Sequence, residues 1–378
     1  MSLRMRRKAG DDNSRRPLAA AVRIGFSAVV GKSSSGRTER LTSRVLVTGA
    51  AGFIGSHVVD HCLSAGMHVV ATDDLSGGFR ANVASRAEWI KGDLREAEFV
   101  SSLWAGGRFD AVYHLAAYAA EGLSHFIRAY NYRTNLEASV NLINQAVLGQ
   151  TSRFVFTSSI AVYGAGQVPM SEDMVPRPED PYGISKYAVE LDLAAAHKMF
   201  GLEYTIFRPH NVYGERQNIA DPYRNVIGIF LNNALRGEPM PVFGDGLQTR
   251  AFSHVDDVAP IIARAPAVIE SANAVYNIGA DTPYSILELA EEIGRAVGVQ
   301  PVLTHLPPRN EVLHAFSDHG KVRAAFDPPE PLDLKTGIQR MAAWVLEQGA
   351  RDPIEFAGQI EIDRDLPPSW VRGDAAAG

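Results

Sequence analysis

A tyrosine and a lysine in the middle of the chain stand where they can act on one proton. Tyr182 and Lys186 are four positions apart, so in a helix they share one face. A phenol has an ordinary pKa of about 10, and a neighbouring ammonium group favours the phenolate, which makes Tyr182 a candidate base near neutral pH. Ser159 lies upstream and completes a candidate proton-handling trio. The same spacing is common where a solvated lysine flanks a packed tyrosine, so the trio needs support from its neighbours.

A glycine-rich turn near the start of the chain's body gives that support. The apolar run 45–47 leads into Gly49, Gly52 and Gly55, after which a helical pattern begins. Glycines let the backbone turn tightly and approach a pyrophosphate, and the free N–H groups at a helix start attract the anion. This spacing also fits a plain loop, so its context matters.

The next apolar run supplies that context. Residues 69–72 read as a strand that ends in Asp73 and Asp74. A carboxylate at this position suits two ribose hydroxyls and repels a 2′-phosphate. The pattern therefore predicts a dinucleotide site for NAD rather than NADP.

Strand-like and helical patterns alternate along the first half of the chain. Strands are expected at 45–47, 69–72, 89–90, 111–114, 153–157 and 203–208, and helices over 132–147 and 181–200. Such alternation predicts an α/β fold with a doubly wound parallel (Rossmann) sheet over residues 44–208, completed by segments later in the chain. Residues 209–350 are punctuated by Pro and Gly, which predicts a smaller C-terminal α/β substrate-binding domain.

The two ends of the chain differ from its body in composition. Residues 1–43 form a basic leader, since residues 1–40 carry ten Lys and Arg against three Asp and Glu. Its apolar stretch, 18–30, is short and interrupted by Arg23, so it fits neither a membrane span nor a signal peptide. We expect a disordered or mis-started leader, with a transit peptide as the alternative. The tail, 351–378, is Pro-rich and is expected to carry no chemistry.

Charge and cysteine content exclude several kinds of function. The formal net charge is −6, and the acidic body argues against nucleic acid as a partner. The only cysteine, Cys62, cannot form an intrachain disulfide, so we expect a reducing compartment, the cytoplasm. No Cys-x-x-Cys occurs, so no metal site is expected. Small-molecule chemistry remains.

Several short motifs occur in the order typical of one enzyme family. Over about residues 44–345 they are the glycine turn, Gly92-Asp93-Leu94, His114-Leu115-Ala116-Ala117, Asn135, Thr157-Ser158-Ser159, 182–186, 208–214, and Gly244-Asp245-Gly246 followed by Arg250. On these motifs the chain resembles the extended short-chain dehydrogenases/reductases, in the branch of nucleotide-sugar epimerases similar to UDP-glucose 4-epimerase. Any single motif arises by chance, whereas the ordered set is specific.

The resemblance implies roles for particular residues. Ser159, Tyr182 and Lys186 would be catalytic. NAD would be held by Gly49, Gly52, Phe53, Ile54, Gly55, Asp73, Asp74, Asp93, Leu94, Leu115, Ala116, Ala117, Asn135, Thr157, Tyr182 and Lys186. The nucleotide sugar would be bound by Ser159, Asn211, Asn225, Val226, Arg250, Arg309 and Glu311. In this interpretation Arg250 and Arg309 bind the diphosphate of the substrate. In the alternative one they are surface residues that form ion pairs. A homodimer through the helices that carry Asn135 and Lys186 is also implied.

The resemblance further implies C4 epimerisation of a UDP-hexose of the glucose and galactose type, through a 4-keto sugar. Related 4,6-dehydratases carry an Asp-Glu pair after the hydroxyl residue, where this chain has Ile160 and Ala161, so elimination of water is not expected. The alternatives are a UDP-N-acetylhexosamine or UDP-glucuronate 4-epimerase, and a nucleotide-sugar reductase or decarboxylase. A non-catalytic NAD-sensing protein is the alternative from another class, against which the intact trio argues.

Two departures from the family pattern bear on cofactor and sugar. The loop after the His114 motif often has a lysine over the cofactor pyrophosphate, whereas here it reads Tyr118-Ala119-Ala120-Glu121. Cofactor retention is therefore expected to differ. Ala315 falls where bulk separates plain from N-acetylated hexoses in related epimerases. Its small side chain suggests room for an N-acetyl group.

Overall fold

The computed structural model describes residues 43–166, 168–308, 313–367 and 370. Its strands are β1 (Arg44–Thr48), β2 (His68–Asp73), β3 (Glu88–Lys91), β4 (Ala111–His114), β5 (Arg153–Thr157), β6 (Glu203–Pro209), β7 (Val212–Tyr213), β8 (Met240–Phe243), β9 (Thr249–Ala251), β10 (Ser253–His254), β11 (Ala274–Ile278), β12 (Pro283–Ser285), β13 (Leu303–Leu306) and β14 (His314–Ala315). Its α-helices are α1 (Phe53–Ser64), α2 (Ala97–Ser102), α3 (Glu121–Ser124), α4 (Arg128–Tyr132), α5 (Ala138–Leu148), α6 (Pro181–Phe200), α7 (Val226–Arg236), α8 (Val255–Arg264), α9 (Ile286–Val297), α10 (Gly320–Phe326) and α11 (Leu334–Gln348). A π-helical turn, Arg133–Glu137, joins α4 to α5, and a 3₁₀ turn, Ile160–Val162, follows β5.

A parallel sheet forms the larger layer of the protein. Within the described residues it has seven strands in the order β11-β6-β5-β4-β1-β2-β3, and each neighbouring pair is parallel. The order reverses between β1 and β4, where the loops after the two strands separate and leave a crevice. The prediction of a doubly wound parallel sheet is confirmed, and β11 is the later segment that completes it.

The two faces of the sheet are covered by different helices. Val45 and Val47 of β1 pack with α1 and α8 on one face, whereas Leu46 packs with α5 and α6 on the other. Burial on both faces explains why the strands read as continuous apolar runs. Cys62 belongs to the first of these cores, and burial raises the pKa of its thiol to about 12.

A smaller α/β unit follows β6. Its core joins α7, α9 and α11 to the strand β8, with Phe230, Leu289 and Met341 among its buried side chains. Strand β8 pairs with β13, and β9 pairs with β12 and β14. This unit is the smaller C-terminal part predicted from the frequent Pro and Gly residues of segment 209–350.

The helices around the trio differ slightly from the sequence prediction. Helix α6 spans 181–200 as expected, because Asp180 caps it by accepting the Gly183 N–H at 2.9 Å and Pro181 opens it. The helical segment that contains Asn135 begins at Arg128, earlier than predicted. Within the described part of the chain, no helix is long and apolar enough to cross a bilayer.

The end of the chain folds back over the larger layer. We call residues 352–367 and 370 the C-terminal strap. Phe356 packs edge-on against Tyr130 with ring centroids 4.9 Å apart, and Trp370 packs against Tyr223 at 5.4 Å. The Glu361 carboxylate accepts the Tyr130 N–H at 2.8 Å. The described part of the tail, which was expected to carry no chemistry, is thus attached to the walls of the cleft described below.

Candidate active site

A cleft of about 1240 Å³ lies between the parallel sheet and the smaller unit. Loops at the carboxyl ends of the parallel strands form one wall, as expected where the strand order reverses. A pocket for one small molecule has roughly 300–1000 Å³, so this cleft has room for two ligands side by side. The predicted site residues that line it are Gly49, Gly52, Phe53, Ile54, Gly55, Asp73, Asp74, Asp93, Leu94, Leu115, Ala116, Ala117, Thr157, Ser159, Tyr182, Lys186, Asn211, Asn225, Val226 and Arg250.

The glycine turn is closed so tightly that side chains do not fit. Gly49 has φ +66°, and a Cβ there would lie 2.6 Å from the Ala116 nitrogen. A Cβ on Gly55 would lie 2.0 Å from the Gly49 carbonyl oxygen. The turn therefore presents bare backbone, and the α1 N-terminus that follows it faces the cleft with free N–H groups.

The carboxylates after β2 are fixed by backbone. Asp73 accepts the Ala51 N–H at 3.1 Å and the Leu75 N–H at 2.8 Å, which ties the end of β2 to the glycine turn. The pKa of Asp73 is raised, because burial outweighs the opposite effect of the hydrogen bonds from these N–H groups. Asp74 accepts the Ser76 N–H at 2.8 Å. Both carboxylates line the cleft, at the position that suits ribose hydroxyls.

The expected trio meets in the middle of the cleft. Helix α6 carries Tyr182 and Lys186, and the loop after β5 carries Ser159, whose Oγ accepts the Ala161 N–H at 3.1 Å. Ser159 lies close enough to Tyr182 to act on the pKa of its phenol. Lys186 is buried, its Nζ donates to the Thr157 carbonyl at 2.8 Å, and it lies 5.8 Å from the centre of the Tyr182 ring.

Burial shifts the pKa values of Tyr182 and Lys186 in opposite directions. Burial raises the pKa of Tyr182, and Ser159 opposes this rise. Burial also lowers the pKa of Lys186 to about 7, while Glu190 acts in the opposite direction. The lysine alone therefore does not make Tyr182 acidic, because desolvation penalises the charged form of both groups. Further positive charge near Tyr182 is needed for it to act as a base.

A buried ion pair below the trio was missed by sequence reasoning. Arg208 donates through Nε to Glu190 at 2.9 Å, and Ser158 Oγ donates to the same carboxylate at 2.5 Å. Arg208 also donates to the Tyr163 hydroxyl at 2.8 Å. This network fixes the β5 loop against α6 and β6, and so holds Ser159 beside Tyr182. The matching motif contained Arg208 but gave no sign of its partner.

The substrate end of the cleft is built from side chains on short elements. Asn211 and Asn225 have φ +40° and +63°, and their amides donate to the carbonyls of Ala251 and Val212 at 3.0 and 2.5 Å. Arg250 on β9 donates to the Leu313 carbonyl at 2.9 Å. These contacts fix the three side chains at the cleft, which they line together with the glycine turn.

Three predicted site residues are not among those that line the cleft in the described part of the chain. Arg309 and Glu311 lie outside the described residues. Asn135 was expected to contact the cofactor, but it is buried behind the cleft wall, where its Oδ1 accepts the Tyr118 N–H at 2.8 Å and its Nδ2 donates to the Tyr118 carbonyl at 3.1 Å. Its side chain supports the loop after β4, because an amide satisfies both backbone groups of one residue at once.

The structure adds cleft residues that the motifs did not indicate. Arg224 precedes Asn225 and is paired with Asp221, to which its Nε donates at 2.6 Å. Its guanidinium stands over the Tyr118 ring, 4.9 Å from the ring centre. From the C-terminal strap, the lining residues are Asp365, Pro367 and Trp370. No family motif covers these positions, and only their place in the fold reveals them.

The residues of the larger layer fit NAD. The glycine turn leaves a cradle that a Cβ would fill, and carboxylates stand at the ribose position. Thr157 Oγ1 is buried at the cleft wall and has no hydrogen-bond partner within the described residues. In contrast, no group of three potential metal ligands occurs among the described residues. The donor set suits an organic dinucleotide.

Comparison with known proteins agrees with this site. Residues 45–279 match the sequence profile of the NAD dependent epimerase/dehydratase family. The UDP-glucose 4-epimerase of Mycolicibacterium smegmatis is 36% identical over 79% of this chain and 96% of its own length. The crystal structure of Thermotoga maritima UDP-glucose 4-epimerase with UDP-glucose superimposes with a TM-score of 0.76 at 31% identity, covering 81% of this chain and 99% of that one.

A third relative is a UDP-N-acetylglucosamine 4-epimerase. The Methanobrevibacter ruminantium enzyme, in complex with UDP-N-acetylmuramic acid, has a TM-score of 0.74 at 30% identity and covers 81% of this chain and 99% of that one. The expected resemblance and its cofactor, NAD, are confirmed. With its glycine turn, its trio and its two-ligand cleft, the chain belongs to the NAD-dependent epimerase/dehydratase family of extended short-chain dehydrogenases/reductases.

Proposed function

We propose that the protein is an NAD-dependent 4-epimerase of a UDP-hexose of the glucose and galactose type. One observation carries the proposal: the glycine turn, Ser159 with Tyr182, and Asn225 with Arg250 all line the same cleft. A sugar whose diphosphate is held at Arg250 would present its ring to Tyr182. UDP-glucose 4-epimerases among the relatives support this choice of substrate.

The residues divide the proton chemistry between them. NAD supplies, when bound, the acceptor that takes the C4 hydride of the sugar and returns it. Tyr182 removes the C4 hydroxyl proton as the C–H bond breaks, and Ser159 hydrogen-bonds the same hydroxyl. Lys186 stabilises the Tyr182 phenolate by its charge. After the 4-keto sugar has turned over, Tyr182 gives the proton back, so the reaction has no net oxidation.

The cleft wall beside Ser159 argues for epimerisation within this epimerase and dehydratase family. Ile160 and Ala161 line the cleft directly after Ser159. Loss of water from a 4-keto sugar requires an acid and a base next to C5 and C6, and neither side chain can supply a proton or accept one. Tyr182 and Ser159 are sufficient for the proton transfers of epimerisation, and NAD would accept and return the hydride.

A second candidate substrate is a UDP-N-acetylhexosamine. Ala315 lines the cleft and lies opposite Arg250 in the pairing of β14 with β9. Its methyl group leaves space beside the sugar position that a larger residue would fill. We expect Ala315→Tyr to abolish turnover of UDP-N-acetylglucosamine and to spare that of UDP-glucose. Detectable turnover of the plain hexose alone by the natural protein would contradict this second candidate.

Product analysis tests the proposed function. Purified protein is incubated with UDP-glucose, UDP-N-acetylglucosamine, UDP-glucuronate or dTDP-glucose without added NAD, and the products are separated by chromatography. We expect the C4 epimer of a UDP-hexose, and we expect Tyr182→Phe to lower its rate of formation by about 100- to 10,000-fold. Product that forms only with added NAD would indicate a reductase or decarboxylase. Absence of product with NAD bound would favour an NAD-sensing protein.

We also propose a homodimer through α5 and α6. Leu148, Leu191, Met199 and Phe200 are large apolar side chains on these helices, and all are more than half exposed. Such a patch is typical of a protein–protein interface. Light scattering during size-exclusion chromatography is expected to give about twice the mass of one chain, and Leu191→Arg to give the monomer. A monomer for the natural protein would contradict the proposal.

A further inference from the structure

A pyrophosphate at the glycine turn brings two negative charges into a partly enclosed cleft. Backbone N–H groups and the start of α1 stabilise part of this charge. The loop after β4, which borders the same region, reads Tyr118-Ala119-Ala120-Glu121 and contributes no basic side chain. A cation from another element is therefore needed for full compensation.

Other basic residues of the cleft are held by different partners. Arg95 makes a two-pronged ion pair with Asp93, with Nε 2.9 Å and Nη2 2.6 Å from Oδ2. Lys186 is bound to the Thr157 carbonyl beside Tyr182. Arg250 is on β9, at the substrate end. None of these contacts places a guanidinium or ammonium group at the glycine turn.

Arg224 reaches this region from the smaller unit. A Cβ added to Gly77 would lie 3.2 Å from Arg224 Nη2, so the guanidinium touches the loop after β2. The next residue, Gly78, packs directly on the glycine turn, since a Cβ there would lie 2.4 Å from the Ala51 carbonyl carbon. Arg224 is thus one residue away from the backbone that would hold the pyrophosphate.

The guanidinium is fixed in place and still has donors to offer. Asp221 takes the Nε edge and Nη2, and the Tyr118 ring lies under the guanidinium plane. A guanidinium has five N–H donors, so pairing along one edge leaves those of Nη1 for a ligand. Burial and Asp221 act in opposite directions on the pKa of Arg224, and the net effect is a rise, so the charge is permanent.

We propose that Arg224 binds the pyrophosphate of NAD, from the same segment that carries a predicted substrate ligand. Arg224 is covalently adjacent to Asn225, a predicted nucleotide-sugar ligand, so both ligands of the cleft act on one short segment. Asp221 and Tyr118 are positioning residues, because they hold the guanidinium toward the turn. The inference depends on the family's cofactor and not on the proposed sugar chemistry.

Binding measurements on cofactor-free protein test this role. The variant Arg224→Gln leaves the buried Asp221 carboxylate without its partner, so the double variant Asp221→Asn/Arg224→Gln is measured beside it. Calorimetric titrations use NAD, ADP-ribose, adenosine and UDP. Arg340→Gln is the matched control, since it also removes an arginine paired with carboxylates, on α11 outside the cleft lining.

We expect both Arg224 variants to bind NAD and ADP-ribose about 10- to 100-fold more weakly, and adenosine and UDP as the natural protein does. Arg340→Gln is expected to change none of these affinities. Unchanged NAD affinity, or a loss that is equal for adenosine, would overturn the proposal. A loss confined to UDP would overturn it as well, by assigning Arg224 to the substrate diphosphate. None of these outcomes requires turnover, so failure of the proposed epimerase activity would be recognised separately.

Discussion

The two ends of the cleft are expected to hold a diphosphate by different means. At the cofactor end most of the site is bare backbone, with Arg224 proposed to act beside it: Gly49, Gly52 and Gly55 close a turn that leads into α1. At the substrate end the groups are the side chains of Asn225 and Arg250, which come from the start of α7 and from β9. A backbone site is specified by a short local sequence, whereas a side-chain site depends on how distant elements pack.

This difference has a consequence for mutational sensitivity. At the cofactor end an added carbon collides with backbone that has no alternative conformation, so small changes are severe. At the substrate end the loss of one side chain leaves its neighbours in place. We therefore expect glycine substitutions at the turn to remove cofactor binding altogether, and side-chain removals at the other end to weaken substrate binding in steps.

The largest effect is expected from Gly55→Ala. Its Cβ would meet the Gly49 carbonyl oxygen at 2.0 Å, so the turn must shift. A shift near 1 Å in a binding group costs on the order of 100-fold, and we expect at least about this loss in NAD affinity. Gly228→Ala in α7 is the control, since its Cβ would meet its nearest neighbour at an ordinary 3.6 Å. Equal NAD affinity for the two variants would contradict the comparison.

Lys186→Met is expected to lower kcat by about 100-fold and, at the same time, to stabilise the fold at low pH. The pKa of Lys186 is about 7 in the folded protein, against 10.5 for an ordinary lysine. Between these values the unfolded chain binds more protons, so stability rises with pH, and burial of the lysine costs most below about pH 7.

Chemical denaturation at several pH values tests this. The variant should have a free energy of unfolding about 1–3 kcal/mol above that of the natural protein below pH 7, and the gap should close as the pH rises toward 10. Lys198→Met, on the exposed side of the same helix, should show no such pH dependence. A constant gap would rule out the buried charge as its cause.

Arg250→Gln is expected to affect only the substrate end. Loss of a charged hydrogen-bond donor should raise the KM for the UDP-sugar about 10- to 100-fold, with NAD affinity unchanged. Arg295→Gln removes an exposed ion-paired arginine from α9 in the same unit and should change neither value. A parallel loss of NAD affinity in Arg250→Gln would show that the two ends are not independent.

The smallest effect is expected from the C-terminal strap. Phe356 is buried against Tyr118 and Tyr130, beside the cofactor end. Phe356→Ala should speed NAD dissociation by about 3- to 10-fold, because aromatic contacts of this kind contribute about 0.5–1.5 kcal/mol each. Ile362→Ala, on the same strap but partly exposed, is the control. Stopped-flow displacement of NAD measures the rate, and equal rates would show that the strap has no role in retention.

Much of the fold and half of the site were predictable. The strands predicted at 111–114 and 153–157 and the helix predicted at 181–200 have the same bounds in the structure. Buried parallel strands and a well-capped helix leave clear local sequence patterns. The trio was predictable for the same reason, since Tyr182 and Lys186 share one helix. Asn135 was assigned to the cofactor by its motif, but it supports the Tyr118 backbone instead. A motif gives a residue type and position, and does not give the direction of its side chain.

The sequence by itself determined the pattern of parallel strands and helices, the glycine turn and the Tyr182–Lys186 pair, because each depends on residues that are neighbours along the chain or on one helix face. The tertiary structure alone decided which way the acidities shift, since the pKa of Tyr182 and that of Lys186 follow from burial. It also decided the placement of Arg224 at the cofactor end and of Trp370 in the cleft wall. Contacts between segments far apart in the chain arise only from packing, and no local pattern encodes them.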